Sequence, residues 1–210
     1  MFACKINTDL NQPVAIEILL PDSGRVELTD TFRPRALALN GVGDSVQAPV
    51  FWSSLDTATL AVVDSTTGVS ISKLLGVARF QARTGRLFSN PQNVTVLAKL
   101  DSIRPRGPVR DSVAAGDSLS DSLSVQVYAQ ASAIPANRRV VFDTAAIFPT
   151  GVHDVTLVPN DTIFTNGTGL AAVRVRVRGS APDSVVVKAT MRHVNGTPVD
   201  GSPLTFVVVF

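Results

Sequence analysis

The sequence AAVRVRVRG at residues 171–179 contains six residues, 173–178, in which apolar and basic side chains alternate without interruption. Successive side chains of an extended strand point to opposite faces, so the valines would share one face and the arginines the other. A slip of one residue would bury three guanidinium groups, so the register is strongly specified. We therefore predict a half-buried β-strand with its valines in a core. The valines are Val173, Val175 and Val177, and the arginines are Arg174, Arg176 and Arg178.

The composition favours β-structure along the whole chain. Val, Thr and Ser are plentiful, strong helix formers are scarce, and 14 Gly and 13 Pro punctuate the sequence. A length of 210 residues suits two domains of about 100 residues each. The hydrophobic fraction of 45% is ample for two packed cores. We therefore predict an all-β fold of two β-sandwiches in tandem.

Residues 51–82 form the most informative block of the first half. Trp52 lies on a short apolar strand, a Val-rich strand ends at Asp64, Gly68 makes a turn, and an alternating strand follows. This order resembles the second family of bacterial Ig-like domains, the modules repeated in intimin-type surface proteins. The resemblance implies an Ig-like sandwich over residues 14–100. A Trp on an inner strand of such a sandwich is expected in the core and not as an exposed sugar platform.

The second half resembles the first bacterial Ig-like family, the invasin type. Residues 135–142 (PANRRVVF) are similar to that family's proline, turn and V-x-F strand, and residues 165–171 (TNGTGLA) to its turn into the next strand. Glycine at 169 tolerates the positive φ that such a tight reversal needs. Residues 148–159 fit less well, and we expect an irregular excursion there. The resemblance implies a second Ig-like sandwich over residues 101–210.

The boundary between the two domains is predicted at about residues 100–108, where LDSIRPRGP contains two prolines and one glycine. The segment is short, so we expect a restrained joint that also supplies the first strand of the second domain. Residues 204–210 are almost wholly apolar. We expect them to form a paired and covered strand, because an exposed apolar edge invites aggregation.

The start of the chain, Met1-Phe2-Ala3-Cys4, resembles the end of a bacterial lipobox, where a small residue precedes a lipidated cysteine. Residues 1–13 would then be a polar tether, although the basic start and apolar run of a signal peptide are absent. Lipidation of Cys4 and a chance cysteine both remain open. No later segment approaches the about 20 apolar residues that span a bilayer. A lipid anchor is therefore the only membrane attachment that we expect.

Residues 116–119 spell GDSL, the nucleophile motif of a hydrolase class. That function needs Ser118 on a strand-to-helix turn and a histidine with an Asp three residues before it. Neither His153 nor His193 has an Asp at that offset, and no helix is predicted after residue 119. We interpret the motif as turn chemistry, in which Asp and Ser bond to neighbouring backbone groups. We therefore predict no enzyme activity and no cofactor.

Metal binding is also not expected. One cysteine and two distant histidines exclude a zinc signature. Two pairs of aspartates could each share a loop, but calcium loops place their oxygen ligands at short, regular offsets that this sequence lacks. We interpret these aspartates as solvated turn carboxylates. The pairs are Asp117 with Asp121, and Asp154 with Asp161.

The three arginines of residues 171–179 are a candidate anionic-ligand face, which we expect Lys188 and Arg192 to enlarge across a hairpin. The face could bind an anionic glycan, lipopolysaccharide phosphate or a teichoic-type polymer through bidentate contacts. Alternatively, its charge serves solubility. The net charge is only +2, and the chain has one Trp and one Tyr. Without aromatic stacking platforms, nucleic acid is not expected as a partner.

These observations predict a non-enzymatic, exported bacterial protein of the cell envelope. Its Ig-like domains would act as a cell-surface or periplasmic structural or adhesion module, with an unknown protein or surface glycan as partner. The alternative is an accessory protein that binds glycans or anionic polymers.

Overall fold

The computed structural model describes residues 11–114 and 116–210, and the chain divides into two compact units, Met1–Leu97 and Ala98–Phe210. Both units are built from β-strands, with two short 3-10 turns at Pro21–Ser23 and Gln130–Ser132. No helix within the described residues is long and apolar enough to cross a bilayer. The predicted all-β fold is confirmed.

The first unit consists of short strands arranged in two layers. One layer is centred on β9, which pairs with β10 and β11 along one edge and with β6 along the other, while β2 adds to β11 in parallel. The opposite layer comprises β1–β4–β5 and β3–β8–β7. The strands are β1 (Ala15–Leu19), β2 (Arg25–Glu27), β3 (Thr31–Phe32), β4 (Arg35–Leu39), β5 (Ser45–Val46), β6 (Phe51–Ser54), β7 (Leu60–Val62), β8 (Ser70–Ser72), β9 (Gly76–Thr84), β10 (Leu87–Phe88) and β11 (Gln92–Leu97).

Residues 31–39 form two strands and not one. Arg33 and Pro34 separate β3, which pairs with β8, from β4, which pairs with β1. Proline has no N–H to donate to a ladder, so the chain changes partners at this point. The division lets one continuous segment contribute to both halves of its layer.

The core of the first unit lies between the layers and is organised around Trp52. Its ring stacks on Phe80 with centroids 5.1 Å apart, and Phe32 meets Phe80 edge-on at 6.0 Å. Trp52 is only 6% exposed, so the prediction that it belongs to the core is confirmed. Ile16 and Ile18 of β1 pack against this cluster from the opposite layer.

The second unit has two larger sheets, in the orders β12-β14-β18-β16 and β13-β20-β19-β15-β17. These match the A-B-E-D and G-F-C orders of an Ig-like sandwich, with β13 and β17 added at the two edges of the second sheet, which confirms the predicted architecture. The strands are β12 (Leu100–Pro105), β13 (Arg110–Ser112), β14 (Leu123–Ala129), β15 (Arg139–Phe148), β16 (Asp154–Val158), β17 (Thr162–Phe164), β18 (Leu170–Arg178), β19 (Ser184–Thr190) and β20 (Leu204–Val209).

The expectation of an irregular excursion over residues 148–159 is wrong for half of that segment. Residues 154–158 form β16, which pairs with β18 along its whole length, with Val155 and Leu157 packed against the core. Prolines at 149 and 159 flank this short strand and interrupt the alternation in the sequence, which is why the pattern was not recognised.

The core of the second unit is dominated by valines from both sheets. The three valines of β18 are 0–3% exposed, as the alternation predicts. The apolar strand β20 lies between β13 and β19, so both of its edges are paired, and Phe206 and Val208 are fully buried. The prediction that the last strand is paired and covered is therefore confirmed.

Candidate functional site

The three arginines of β18 lie on the outer face of their sheet. Arg174 and Arg178 are exposed and Arg176 is half-buried. Side chains two residues apart on one strand are separated by about 6–7 Å, so the guanidinium stems span roughly 13 Å. On the neighbouring strand β16, Thr156 stands opposite Arg176 and Asp154 stands opposite Arg178. The face therefore carries two arginines without an acidic cross-strand neighbour on β16 and one with such a neighbour.

Lys188 and Arg192 do not enlarge this face, and the prediction that they do so is wrong. Lys188 lies on β19, which belongs to the other sheet, opposite Asp143 of β15. The connection from β18 to β19 crosses between the two sheets, and the outer faces of a sandwich point in opposite directions. Arg192 follows β19 and donates from Nη1 to the Gly196 carbonyl at 2.8 Å. Alternation identifies the face of a side chain but not the neighbouring strand.

Two further arginines on the sheet of β18 were missed in the sequence. Arg104 of β12 forms an ion pair with Asp200, with Nη2 and Oδ2 2.7 Å apart. Arg106 donates from Nη1 to the side-chain oxygen of Gln126 at 3.0 Å. The sequence predicts that their segment is a joint that also supplies the first strand of the second domain, but its two prolines interrupt the alternation that would show which face the arginines share. Both already have intramolecular partners, which sets them apart from the arginines of β18.

The GDSL segment does not form the turn that a hydrolase nucleophile requires. The carbonyl of Ser118 accepts a hydrogen bond from the backbone N–H of Val177 at 2.9 Å, and Ser120 continues the contact through its hydroxyl, which accepts from Val175 at 2.8 Å. The segment is thus extended along β18 and leads into β14 instead of a helix. His153 directs Nδ1 towards the Ser180 carbonyl at 3.3 Å.

Within the part of the chain that the structure describes, no three His, Cys, Asp or Glu side chains are grouped in a way that could hold a metal ion. Asp154 faces Arg178, and the backbone carbonyl of Asp161 accepts from the N–H of Phe142. Cys4, the candidate lipidation site, lies outside the described residues.

An open cleft of about 440 Å³ lies between β15 and β16 in the second unit. Leu157 and Phe142 contribute apolar lining, and the polar lining includes Asp143, Asp161 and Asn160. Ligand sites of this volume normally enclose most of the ligand, and this cleft is open to solvent. It provides polar groups at the rim of the sandwich without an enclosed chamber for chemistry.

Residues 51–82, which we call the signature block, have a structural role in the first unit. The backbone N–H of Trp52 donates to the Ser65 carbonyl at 2.7 Å, which ties the tryptophan strand to the turn that follows Asp64. The Asp64 carboxylate accepts from the hydroxyls of Thr67 and Thr66 at 2.6 and 2.7 Å, and these bonds lower its pKa. The turn of residues 64–67 therefore shapes the loop beneath the indole ring.

No protein-family model and no curated protein matches the chain. Among solved structures, the chain is similar to the Yersinia pseudotuberculosis adhesin InvE, with 16% identity and a TM-score of 0.43 over 93% of this chain; it spans 58% of that chain. It is also similar to domains 4 and 5 of the S-layer protein SbsC, with 14% identity and a TM-score of 0.34 over 94% of this chain and 98% of that chain. The D00-D0 domain of intimin matches with 16% identity and a TM-score of 0.33, covering 93% and 98%. Adhesin, S-layer and intimin domains are thus among the solved structures to which the chain is similar.

Proposed function

We propose that this chain is a non-enzymatic structural or adhesion module of an exported bacterial protein that resides at the cell surface or in the periplasm. The observation that carries the proposal is the presence of two separately packed Ig-like cores in direct succession. The last strand of the first unit ends at Leu97 and the first strand of the second begins at Leu100, so only two residues lie between them.

Such an arrangement suits a spacer or a presenting arm. Each unit buries its own apolar cluster, so each can be stable independently of a ligand. The strands at the sheet edges are mostly short, and the long apolar strand β20 is covered on both edges. These features let an exposed module persist without aggregating. Recognition by sandwiches of this kind is normally carried by loops or by an outer sheet face.

Attachment through Cys4 belongs to the same proposal. The sequence preceding residue 14 supplies a small residue before a single cysteine and then polar residues before the first strand. Acylation of the cysteine would hold the first unit at the membrane. One acyl chain gives only weak binding, so a diacylated or triacylated cysteine is expected for stable anchoring.

Fractionation of the host tests this proposal. We expect the protein in the envelope fraction, and we expect a lipid-modified peptide containing Cys4 by mass spectrometry. A Cys4→Ser variant should move to the soluble extracytoplasmic fraction while its Trp52 fluorescence stays unchanged. Recovery of wild-type protein in the cytosol would overturn export, whereas envelope protein without acylation would overturn only the anchor.

A second candidate function is supported by the outer face of β18. Arg174 and Arg176 lack an acidic neighbour across the strand pair with β16, and no ion pair of either is present among the described residues. Guanidinium groups bind phosphate, sulfate and carboxylate through paired donors. The face could therefore hold the module against an anionic envelope polymer, which would make adhesion a property of the second unit.

A further inference from the structure

A row of three side chains crosses the outer face of the first unit and is not part of the function proposed above. In the antiparallel pairs of β9, Arg83 stands opposite Phe51 of β6 on one edge and opposite Phe88 of β10 on the other. Directly opposed residues point to the same face, with Cα atoms about 4.5–5.5 Å apart. The sheet therefore presents two aromatic rings with a guanidinium between them.

Phe88 is an unusual residue for this position. Phe88 is a large aromatic residue, yet its side chain is 56% exposed, on a two-residue strand at the edge of the sheet. A large exposed aromatic ring contributes nothing to the core, which is filled on the inner face of β9 by Ala78, Phe80 and Ala82. The ring thus remains available to an external partner.

The position of Phe88 is fixed by the residue that follows it. The backbone N–H of Ser89 donates to the Ala82 carbonyl at 2.8 Å, and its hydroxyl accepts from the Ala82 N–H at 3.0 Å. The side chain of Gln81 donates to the Ser89 carbonyl at 2.8 Å. Ser89 is buried, so these three bonds hold the short strand against β9. Phe88 is therefore an exposed ring on a rigid support, as binding sites require.

The charge of the row is positive and uncompensated. The Cζ atom of Arg83 lies 5.2 Å from the centroid of the Phe51 ring, a cation–π distance. A guanidinium held over a ring keeps its in-plane N–H donors available for a carboxylate or sulfate. No ion pair of Arg83 occurs among the described residues, and exposed Arg86 lies in the adjoining turn. Asp56, which follows β6 and contacts β9, is already bound to Arg79.

We propose that Phe51, Arg83 and Phe88 bind an anionic saccharide, a sugar that carries a carboxylate or a sulfate. The apolar face of a pyranose ring stacks on an aromatic side chain, and Phe88 offers such a surface. Arg83 lies beside it and can form paired hydrogen bonds with the acidic group. The hydroxyl of Ser53, opposite Gln81 in the next row, lies within the same sheet face. This site is in the first unit, independent of the arginines of β18 and of export.

The test uses the full chain with Arg174, Arg176 and Arg178 changed to Ser, so that the basic face of the second unit cannot contribute. Isothermal titration calorimetry is performed with a heparin hexasaccharide, a hexagalacturonate, maltohexaose and inorganic sulfate. We expect binding of the two anionic saccharides, at least tenfold weaker binding of sulfate, and no binding of maltohexaose. The two anionic probes distinguish a sulfate-preferring from a carboxylate-preferring site.

Three variants distinguish this site from general attraction to charge. Arg83→Ser should weaken binding by about tenfold or more, the loss of a charge-assisted pair of hydrogen bonds. Phe88→Leu, which keeps apolar bulk but removes the ring, should weaken it several-fold. Arg25→Ser is the matched control: Arg25 is exposed on β2 opposite Thr95, at the other end of the same sheet, and its removal should change affinity less than twofold.

Two results would overturn the proposal. If Phe88→Leu binds as tightly as the parent, the attraction is purely electrostatic. If Arg25→Ser weakens binding as much as Arg83→Ser, the whole sheet acts as a diffuse positive surface. Trp52 fluorescence of each variant confirms that the first unit is folded, because Trp52 is the only tryptophan.

Discussion

The indole ring of Trp52 lies directly on the backbone of Gly68. A Cβ atom added to Gly68 would approach Cδ1, Nε1 and Cε2 of Trp52 to 2.9 Å, and Gly68 has a φ of +75°. The short contact with the indole ring and the positive φ both strongly disfavour any residue other than glycine at position 68. The turn glycine and the strand tryptophan of the signature block are therefore two halves of one packing arrangement.

Gly68→Ala should strongly destabilise the first unit. The left-handed conformation costs an L-residue about 1–2 kcal/mol, and the contact with the indole ring adds overpacking of about 1–3 kcal/mol. We expect a loss of about 2–5 kcal/mol in the free energy of unfolding. Urea titration followed by Trp52 fluorescence reports on the first unit alone.

Gly85→Ala is the matched control for this substitution. Gly85 also has a positive φ, +56°, but no atom lies within 4 Å of its added Cβ. It should lose only the conformational cost, about 1–2 kcal/mol. Equal losses for the two variants would show that the indole contact contributes nothing.

The first unit should lose stability at acid pH. Side-chain and backbone hydrogen bonds from Arg79 lower the pKa of Asp56 from 3.8 to about 2, and Thr67 and Thr66 lower that of Asp64 further. A carboxyl with a lowered pKa stabilises the folded state above its unfolded pKa, and this contribution disappears as pH falls through the folded value. We expect the urea midpoint to fall between about pH 4 and pH 2.

The double variant Asp56→Asn, Asp64→Asn tests this assignment. Its urea midpoint, measured by Trp52 fluorescence, should fall less steeply over the same pH range than that of the wild type. Both aspartates are only partly buried, so solvent screens their interactions and the difference between the curves should be small. If the urea midpoints of the wild type and the double variant fall in parallel with pH, groups other than Asp56 and Asp64 cause the acid response.

Thr165 should be essential to the second unit. Its hydroxyl accepts from the backbone N–H of Arg138 at 2.8 Å and donates to the carbonyl of Pro135, and Thr165 is 3% exposed. Thr165→Val keeps the shape and removes both bonds, which should cost about 2–3 kcal/mol. Hydrogen exchange mass spectrometry of peptides from residues 135–171 measures the loss.

Thr165→Ser is the control for the hydroxyl. It restores both hydrogen bonds and removes one methyl group, so it should cost about 1 kcal/mol. If Thr165→Ser is as unstable as Thr165→Val, the loss of stability comes from packing and not from the hydrogen bonds of the hydroxyl.

The outer face of β18 should carry any attraction of the second unit for anionic polymers. Changing its three arginines to Ser should lower the salt concentration that elutes the protein from a heparin column, because fewer counterion-releasing contacts remain. Lys188→Ser with Arg192→Ser removes two charges away from that face and should have a smaller effect per charge. Elution unchanged by the triple substitution would exclude the face as a binding site.

The fold class could be predicted from the sequence, but which strands are neighbours within each sheet could not. The alternation of β18 fixed which side chains are buried, because burying an arginine is far costlier than exposing a valine. The same pattern could not show that β19 lies in the other sheet, since neighbours are set by connections and not by period. Strand β16 was not predicted, because its five residues lie between Pro149 and Pro159 and are too few to show a clear alternation.

For the candidate sites too, what depends on one segment of sequence could be predicted, and what depends on strand pairing could not. The burial of Trp52 followed from its place on an inner strand. The row of Phe51, Arg83 and Phe88 was not recognised, because its members are adjacent only through the pairings of β9 with two other strands. Such a surface is a product of register, and no single segment of sequence contains it.

Exposure of both units outside the cytoplasm is the central claim, and lysine labelling tests it most directly. Lys73 and Lys188 are exposed, one in each unit. Host cells with a permeabilised outer envelope and an intact inner membrane are treated with an amine reagent that cannot cross membranes, and both peptides are quantified by mass spectrometry. We predict labelling of both lysines to the level seen in lysed cells. Labelling that occurs only after lysis would place the protein in the cytoplasm and contradict the account.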